Sequence, residues 1–135
     1  MTPERVHRIR AALRGILALS MVAIGALHLV RPEPFTHIVP AWLPAPMALV
    51  LLSGVAEILG GAGLLVPGMR RAASLGLVLL YVAVFPANVN MALRPELGGA
   101  IPSWLLWARL PFQAAFIALA LWVGVAAPGV RKREA

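Results

Sequence analysis

The stretch PMALVLLSGVAEILGGAGLLV (residues 46–66) decides the fold class of this chain. It is long and apolar enough to cross the roughly 30 Å hydrocarbon core of a bilayer as a helix, which needs about 20 residues. It also carries an acid, Glu57, near its middle. A charged side chain at that depth costs on the order of 2.5–3.5 kcal/mol on insertion scales, so it tends to face protein or water and to have a partner. The stretch therefore predicts a transmembrane helix whose acid points into a helical bundle.

Three other segments have the same apolar character, and together they predict four transmembrane helices over about 11–30, 46–66, 72–93 and 104–127. The chain is 61% hydrophobic and 13% charged. A soluble domain is usually about half apolar and a quarter charged, so the composition excludes a soluble or disordered chain. Lipid does not tolerate irregular backbone, and the alternation typical of a barrel is absent. We expect an all-α, polytopic membrane protein in which residues 1–135 form a single four-helix transmembrane bundle.

Basic residues predict the orientation of this bundle. Arginines crowd the N-terminal arm, the connection between the second and third spans, and the C-terminal tail, whereas each of the two other loops pairs one arginine with one acid. By the positive-inside rule, we expect both termini to be cytoplasmic. The net charge of +7 is thereby explained without a nucleic-acid partner. We do not expect a cleaved signal peptide, because the first span is long for one and no small-x-small site follows it. The basic residues of these three segments are Arg5, Arg8, Arg10, Arg14, Arg70, Arg71, Arg131, Lys132 and Arg133.

Glu57 needs neighbours from other helices. Ser53, Glu57, Gly60 and Gly61 share one helical face, and small residues on that face let another helix approach closely. Arg109 lies in the outer half of the fourth span, about 9 Å from Glu57 in depth at 1.5 Å per residue. A Glu57–Arg109 pair, direct or through water, is the first hypothesis. In the alternative, Arg109 extends to the outer interface and Glu57 is protonated.

Two prolines create a polar region in the outer half of the bundle. Pro86 and Pro111 each leave a helix carbonyl without its amide donor, and amide side chains lie nearby. Asn88 and Asn90 point about 200° apart, and Asn88 shares its face with Tyr81, so Asn88 is expected to look inward. The predicted ligand pocket consists of His28, Glu57, Tyr81, Asn88, Trp107, Arg109 and Gln113.

Two members of this set have a second interpretation. His28 ends the first span on the outer side, where it is either an interfacial histidine or the acid–base partner of Glu57. Glu57 and His28 are accordingly the candidate catalytic residues. Trp107 lies near a span end, where a tryptophan usually anchors a helix at the interface.

The loop over residues 31–46 is rich in proline, which excludes a long helix. Phe35, Ile38, Val39 and Trp42 make it too apolar for a segment surrounded by water. We expect the loop to lie on the membrane interface as a lid over the bundle, with Trp42 as an anchor.

Metal and cofactor chemistry have weak support. The chain has no cysteine, which excludes thiolate-ligated zinc and iron–sulfur clusters. No two of His28, His37 and Glu57 are three or four residues apart, so nothing arranges them in advance as metal ligands, and we expect no metal site. There is also no phosphate-binding loop and no nucleophile–base constellation.

The chain resembles the DoxX-like family of four-helix bacterial membrane proteins, and the likeness covers nearly its whole length in order. The resemblance implies an inner-membrane bundle with redox associations, since named relatives include a subunit of a thiosulfate:quinone oxidoreductase and a membrane partner in an oxidative-stress complex. Typical members often carry a lysine near the position of His28. The matching segments are Gly25-x-x-His28 with Pro32-x-Pro34-Phe35-x-x-Ile38-Val39-Pro40, Ser53-Gly54-x-x-Glu57-Ile58-x-Gly60-Gly61-x-Gly63-Leu64-Leu65-x-Pro67, Val84-Phe85-Pro86-Ala87-Asn88-x-x-Met91-Ala92 and Leu106-Trp107-x-Arg109-Leu110-Pro111-x-Gln113.

The leading functional hypothesis is an accessory, redox-associated membrane protein whose outward-facing pocket holds a quinone-like or other lipophilic molecule. Its partners would then be the bilayer, that small molecule, membrane or redox proteins, and a second copy in a homodimer. Two alternatives stay open. One is a structural scaffold in which the polar cluster only specifies helix packing, and the other is an isomerase-like enzyme in which Glu57 and His28 act on a lipophilic substrate. A transport role ranks behind these.

Overall fold

A computed structural model describes residues 2–125. Helices are the regular secondary structure in this part of the chain, which contains no β-strand. Four of the helices are long and apolar enough to cross a membrane. This confirms the all-α class and the four predicted long helices. The end of the fourth predicted span, at residue 127, and the basic tail lie outside the described residues. The helices are α1 (Pro3–Val30), α2 (Glu33–Thr36), α3 (Pro46–Leu65), α4 (Arg70–Leu93), a 3₁₀ turn (Pro95–Gly98) and α5 (Ser103–Gly124).

Helix α1 begins about two turns earlier than the apolar span does. Thr2 Oγ1 accepts a hydrogen bond from the Arg5 amide at 3.4 Å and caps the helix. One turn further, Arg8 and Glu4 form an exposed ion pair at 2.7 Å. Capping and charge pairing therefore continue the helix through the basic arm, which the apolar pattern does not reveal.

Helices α1 and α3 cross in antiparallel directions with their backbones almost in contact. A Cβ atom added to Gly25 would lie 2.5 Å from the carbonyl oxygen of Gly54, and one added to Gly61 would lie 2.7 Å from that of Ala18. Side chains at these positions would force the helices apart. The small-residue face predicted on α3 is therefore the face on which α1 packs.

The other helix contacts close the bundle at one end. Ser74 Oγ on α4 donates to the Ala120 carbonyl on α5 at 2.6 Å, and Arg14 Nε on α1 donates to the Val123 carbonyl at 2.8 Å. We call this end, which holds the beginnings of α1 and α4, the basic half. The main buried core lies there and consists of Leu17, Ala18, Met21, Leu64, Leu77, Tyr81, Ala120 and Val123.

The proline-rich loop covers the opposite end, which we call the loop half. Only the four residues of α2 are helical within it, and the Phe35 ring of α2 stacks on the His28 ring with centroids 3.8 Å apart. Asn90 Nδ2 on α4 donates to the Ile38 carbonyl at 2.9 Å. Trp42 points outward and is 72% exposed. The loop is thus fixed to two helices and closes the end of the bundle, as its sequence predicts.

Candidate functional site

A cavity of about 710 Å³ occupies the loop half, and all four long helices and the loop contribute to its wall. Most of this wall is apolar. The polar groups on it fall into two sets. One set is on α1 and α3, and the other is on α4 and α5.

Glu57 and His28 form the first set. Glu57 is only 8% exposed, and its Oε2 lies 3.0 Å from Nδ1 of His28. The close crossing of α1 and α3 causes this contact, because a Cβ atom at Gly54 would lie 2.8 Å from the Cβ atom of His28. One turn of α3 separates Gly54 from Glu57, so the histidine ring comes to rest beside the carboxylate.

The hydrogen bond of His28 to its own helix assigns the tautomer of the ring. Nδ1 lies 2.8 Å from the Ile24 carbonyl oxygen. A carbonyl only accepts, so Nδ1 carries a hydrogen, and Nε2 of a neutral ring is then an acceptor. That hydrogen is directed to Ile24, and within residues 2–125 the buried Oε2 of Glu57 has no aligned hydrogen-bond donor.

The second set is a chain of amides. Asn88 Nδ2 donates to Gln113 Oε1 at 2.8 Å, and Gln113 Nε2 donates to the backbone carbonyl of Tyr81. This carbonyl is next to that of Val82, which loses its donor to Pro86. Pro86 therefore loosens α4 at this turn, which is the part of the α4 backbone that Gln113 of α5 reaches. Asn88 faces the cavity, as predicted from its position on the helix.

Tyr81 closes the bottom of the cavity. Its hydroxyl donates to Sδ of Met21 at 3.2 Å, which links α4 to α1 between the cavity and the core of the basic half. Both residues line the cavity and both are buried.

Arg109 lines the cavity but does not pair with Glu57. The ion-pair contacts within residues 2–125 are Glu4–Arg8 and His28–Glu57. The predicted Glu57–Arg109 pair is therefore replaced by a pair between neighbouring helices, because α1 packs directly on α3 while Arg109 projects from α5. Arg109 is exposed, as in the alternative in which it extends to the interface.

Trp107 does not line the cavity and is 50% exposed. It precedes Arg109 by two residues, so the two side chains point about 200° apart on the helix. Including Trp107 in the pocket is therefore a prediction to correct, and its position fits the anchoring interpretation.

The cavity reaches the outer surface of the bundle between the helices. Leu52 on α3 and Phe112 on α5 both line it, yet they remain 67% and 59% exposed. In a bilayer, side chains exposed on this flank meet acyl chains. Leu52 and Phe112 therefore contribute both to the wall of the cavity and to the outside of the bundle.

The model of DUF8561, a domain of unknown function, matches residues 17–132. The chain belongs to the DUF8561 family. No curated protein and no solved structure matches it. All seven predicted pocket residues lie within the part that the family model covers.

Two contacts around the site of this DUF8561 chain do not follow from the sequence. Phe35 stacks on His28, and Asn90 fixes the loop to α4. The apolar character of the loop signals that it packs on something, but not on which residue. The helical position of Asn90 predicts that it faces away from Asn88, and its partner depends on where the loop lies.

The site contains few ligands that suit a metal. Among residues 2–125 of the DUF8561 chain, no three His, Cys, Asp or Glu side chains come together as a metal-binding group. The site offers a carboxylate, an imidazole, two amides and a guanidinium around an apolar space. The hydroxyls of Ser20, Ser53 and Tyr81 also line it, and each donates its hydrogen to another protein atom. This combination suits a small molecule with an apolar body and a polar head.

Proposed function

We propose that this chain is a DoxX-like protein of the bacterial inner membrane that binds a quinone-like lipophilic molecule in its cavity and serves as an accessory protein to redox enzymes. The observation that carries the proposal is a largely apolar space of about 710 Å³ with polar groups on two facing sides. Drug-sized ligands usually occupy pockets of roughly 300–1,000 Å³ with a few placed polar groups.

The chemistry of the wall supports a ring-shaped head group. The guanidinium of Arg109 and the amide of Asn88 are donors that suit carbonyl oxygens. Phe35, Phe112 and Phe116 line the same space and offer rings that pack against a flat molecule. A long apolar tail would leave between the helices at Leu52 or Phe112 and continue into lipid.

The charge distribution supports the membrane orientation. Arg10, Arg14 and Arg70 lie in the basic half, and the positive-inside rule puts that half at the cytoplasmic face with both termini. The cavity then opens in the outer half of the bilayer. The ligand would be exchanged on the side away from the cytoplasm.

The redox association rests on the resemblance to DoxX-like proteins, whose named relatives work with thiosulfate:quinone oxidoreductase and with an oxidative-stress complex. Membrane or redox proteins, and a second copy of this chain, are the proposed partners. The chain itself carries no cysteine, so any thiol chemistry would belong to a partner.

Native mass spectrometry of the protein purified in mild detergent tests the proposal. We expect a bound lipophilic molecule on the wild type and on Glu96→Gln, since Glu96 is exposed outside the cavity, and a clearly lower occupancy in Glu57→Gln. A wild type without ligand that still captures its partner proteins would instead support the scaffold alternative. Equal occupancy in all three proteins would show that the ligand does not use Glu57.

A second candidate function is acid–base catalysis on a lipophilic substrate. The arrangement around His28 favours it. The Ile24 carbonyl fixes the hydrogen on Nδ1 and leaves Nε2 as the base, and the Glu57 carboxylate 3.0 Å from Nδ1 would stabilise the protonated ring. Turnover of a lipid substrate by the isolated wild type, abolished in His28→Gln, would promote this function over simple binding.

A further inference from the structure

The groups that α1 and α3 present to a ligand are hydrogen-bond acceptors. Glu57 lines the cavity and is buried, and 11% of its side-chain surface remains accessible there. Within residues 2–125 its Oε2 has no aligned donor, because the only hydrogen on that side of the His28 ring is directed to the Ile24 carbonyl. Nε2 of the same ring is the acceptor nitrogen.

The groups that α4 and α5 present from the facing side are mainly donors. Arg109 has only donors, and within residues 2–125 no carboxylate pairs with it. Asn88 donates one amide hydrogen to Gln113, and it has a second amide hydrogen and an acceptor oxygen to offer a ligand. The α1–α3 side of the cavity therefore offers acceptors, whereas the α4–α5 side offers mainly donors.

We infer that the cavity selects a ligand whose ring carries a hydroxyl group, and that it binds the hydroquinone form of a quinone-like molecule in preference to the quinone form. The inference rests on the proposed function and specifies its ligand. A ring hydroxyl donates to Glu57 or His28 while an oxygen across the ring accepts from Arg109 or Asn88. A quinone carbonyl placed against Glu57 would leave two buried acceptors facing each other.

A buried acceptor without a donor costs more free energy than an ordinary hydrogen bond contributes, and bonds to charged groups are the stronger ones. From this asymmetry we expect the hydroquinone to bind about tenfold more tightly than the quinone, or more.

Three probes with the same ring and alkyl chain test the inference on the full chain in nanodiscs: decyl hydroquinone, decyl quinone, and the dimethyl ether of decyl hydroquinone. All calorimetric titrations are anaerobic, and reductant is added only to the hydroquinone, because it would convert the quinone into the hydroquinone. The reductant has no thiol or disulfide to attack in this chain. Empty nanodiscs correct for partition into lipid. We expect the hydroquinone to bind most tightly, with the quinone and the dimethyl ether about tenfold weaker.

The same titrations on two variants locate the selectivity. Glu57→Gln offers a donor beside the acceptor, so the preference for the hydroquinone should fall below about threefold, whereas Glu96→Gln should keep the full preference. Equal affinities of the wild type for all three probes, or tighter binding of the quinone, would overturn the inference and leave the proposed function standing. Absence of binding by every probe would overturn both. The wild-type comparison decides the question even where a variant fails to fold.

Discussion

At the scale of single residues, the molecule shows how a buried carboxylate is accommodated in an apolar bundle. Glu57 is met by His28 on the adjacent helix and not by Arg109. Removing one member of a buried polar pair leaves the other without compensation, which is costly in a medium of low dielectric. We therefore expect the two residues to act as one unit in stability and, in the proposed function, in ligand recognition.

A double-mutant cycle tests this unit. We expect Glu57→Gln and His28→Gln to be non-additive, with a coupling of about 1 kcal/mol in the free energy of unfolding, because each change removes the same contact. Reversible unfolding in mixed micelles gives the three free energies. Glu4→Gln is the control, since the exposed Glu4–Arg8 pair should contribute nothing measurable. If the effects of Glu57→Gln and His28→Gln on the free energy of unfolding were strictly additive, the direct contact between the two residues would be contradicted.

At the scale of helices, the crossing of α1 and α3 sets the position of the site. The carbonyl of Gly54 lies so close to Gly25 that any side chain at residue 25 must move one helix. A displacement of that kind would also separate His28 from Glu57, because both project from the same crossing. Packing and site geometry are therefore linked through a backbone contact.

Gly25→Ala should accordingly destabilise the protein by about 1–3 kcal/mol, the usual cost of overpacking. Gly15→Ala is the matched control on the same helix, where an added Cβ meets no atom within 4 Å. It should be neutral or slightly stabilising, because alanine is the better helix former. Thermal unfolding of both variants in one detergent measures the difference. Similar unfolding midpoints for Gly25→Ala and Gly15→Ala would contradict the close crossing of α1 and α3.

A side-chain hydrogen bond from Asn90 attaches the loop over residues 31–45 to α4. Asn90→Ala removes the donor to the Ile38 carbonyl, a loss of about 1 kcal/mol. We expect about fivefold faster hydrogen exchange of the loop amides and unchanged exchange in α3. Asn88→Ala is the control, since Asn88 bonds Gln113 and not the loop. Unaltered loop exchange in Asn90→Ala would show that other contacts hold the loop.

At the scale of the whole molecule, much of the architecture was predictable from the length of the apolar segments and the spacing of residues within them. Apolar length identifies four helices, and the spacing of Gly60 and Gly61 from Glu57 identifies the face that packs. The partner of Glu57 was not predictable, since depth along two helices says nothing about which helix is adjacent. Here α1 packs on α3 and brings His28 to the acid, while α5 lies across the cavity.

The proposed orientation has its own test, which the cysteine-free sequence simplifies. A single cysteine at Ala41 lies in the exposed loop, and one at Gly68 lies in the opposite connection, where an added Cβ has open space. A membrane-impermeant maleimide on intact cells should label Ala41→Cys and should label Gly68→Cys only after lysis. The wild type is the blank. The reverse pattern would place both termini outside.

The central claim is that a lipophilic ligand lies among all four helices beside Glu57. Photocrosslinking with a diazirine-bearing alkyl hydroquinone, followed by peptide mass spectrometry, tests it most directly. The account predicts adducts on cavity residues of both helix pairs, near Glu57 and near Asn88, that decrease when unlabelled hydroquinone competes. Adducts confined to outward-facing residues such as Leu59 and Leu79, which are 66% and 72% exposed, and unaffected by competitor, would contradict it.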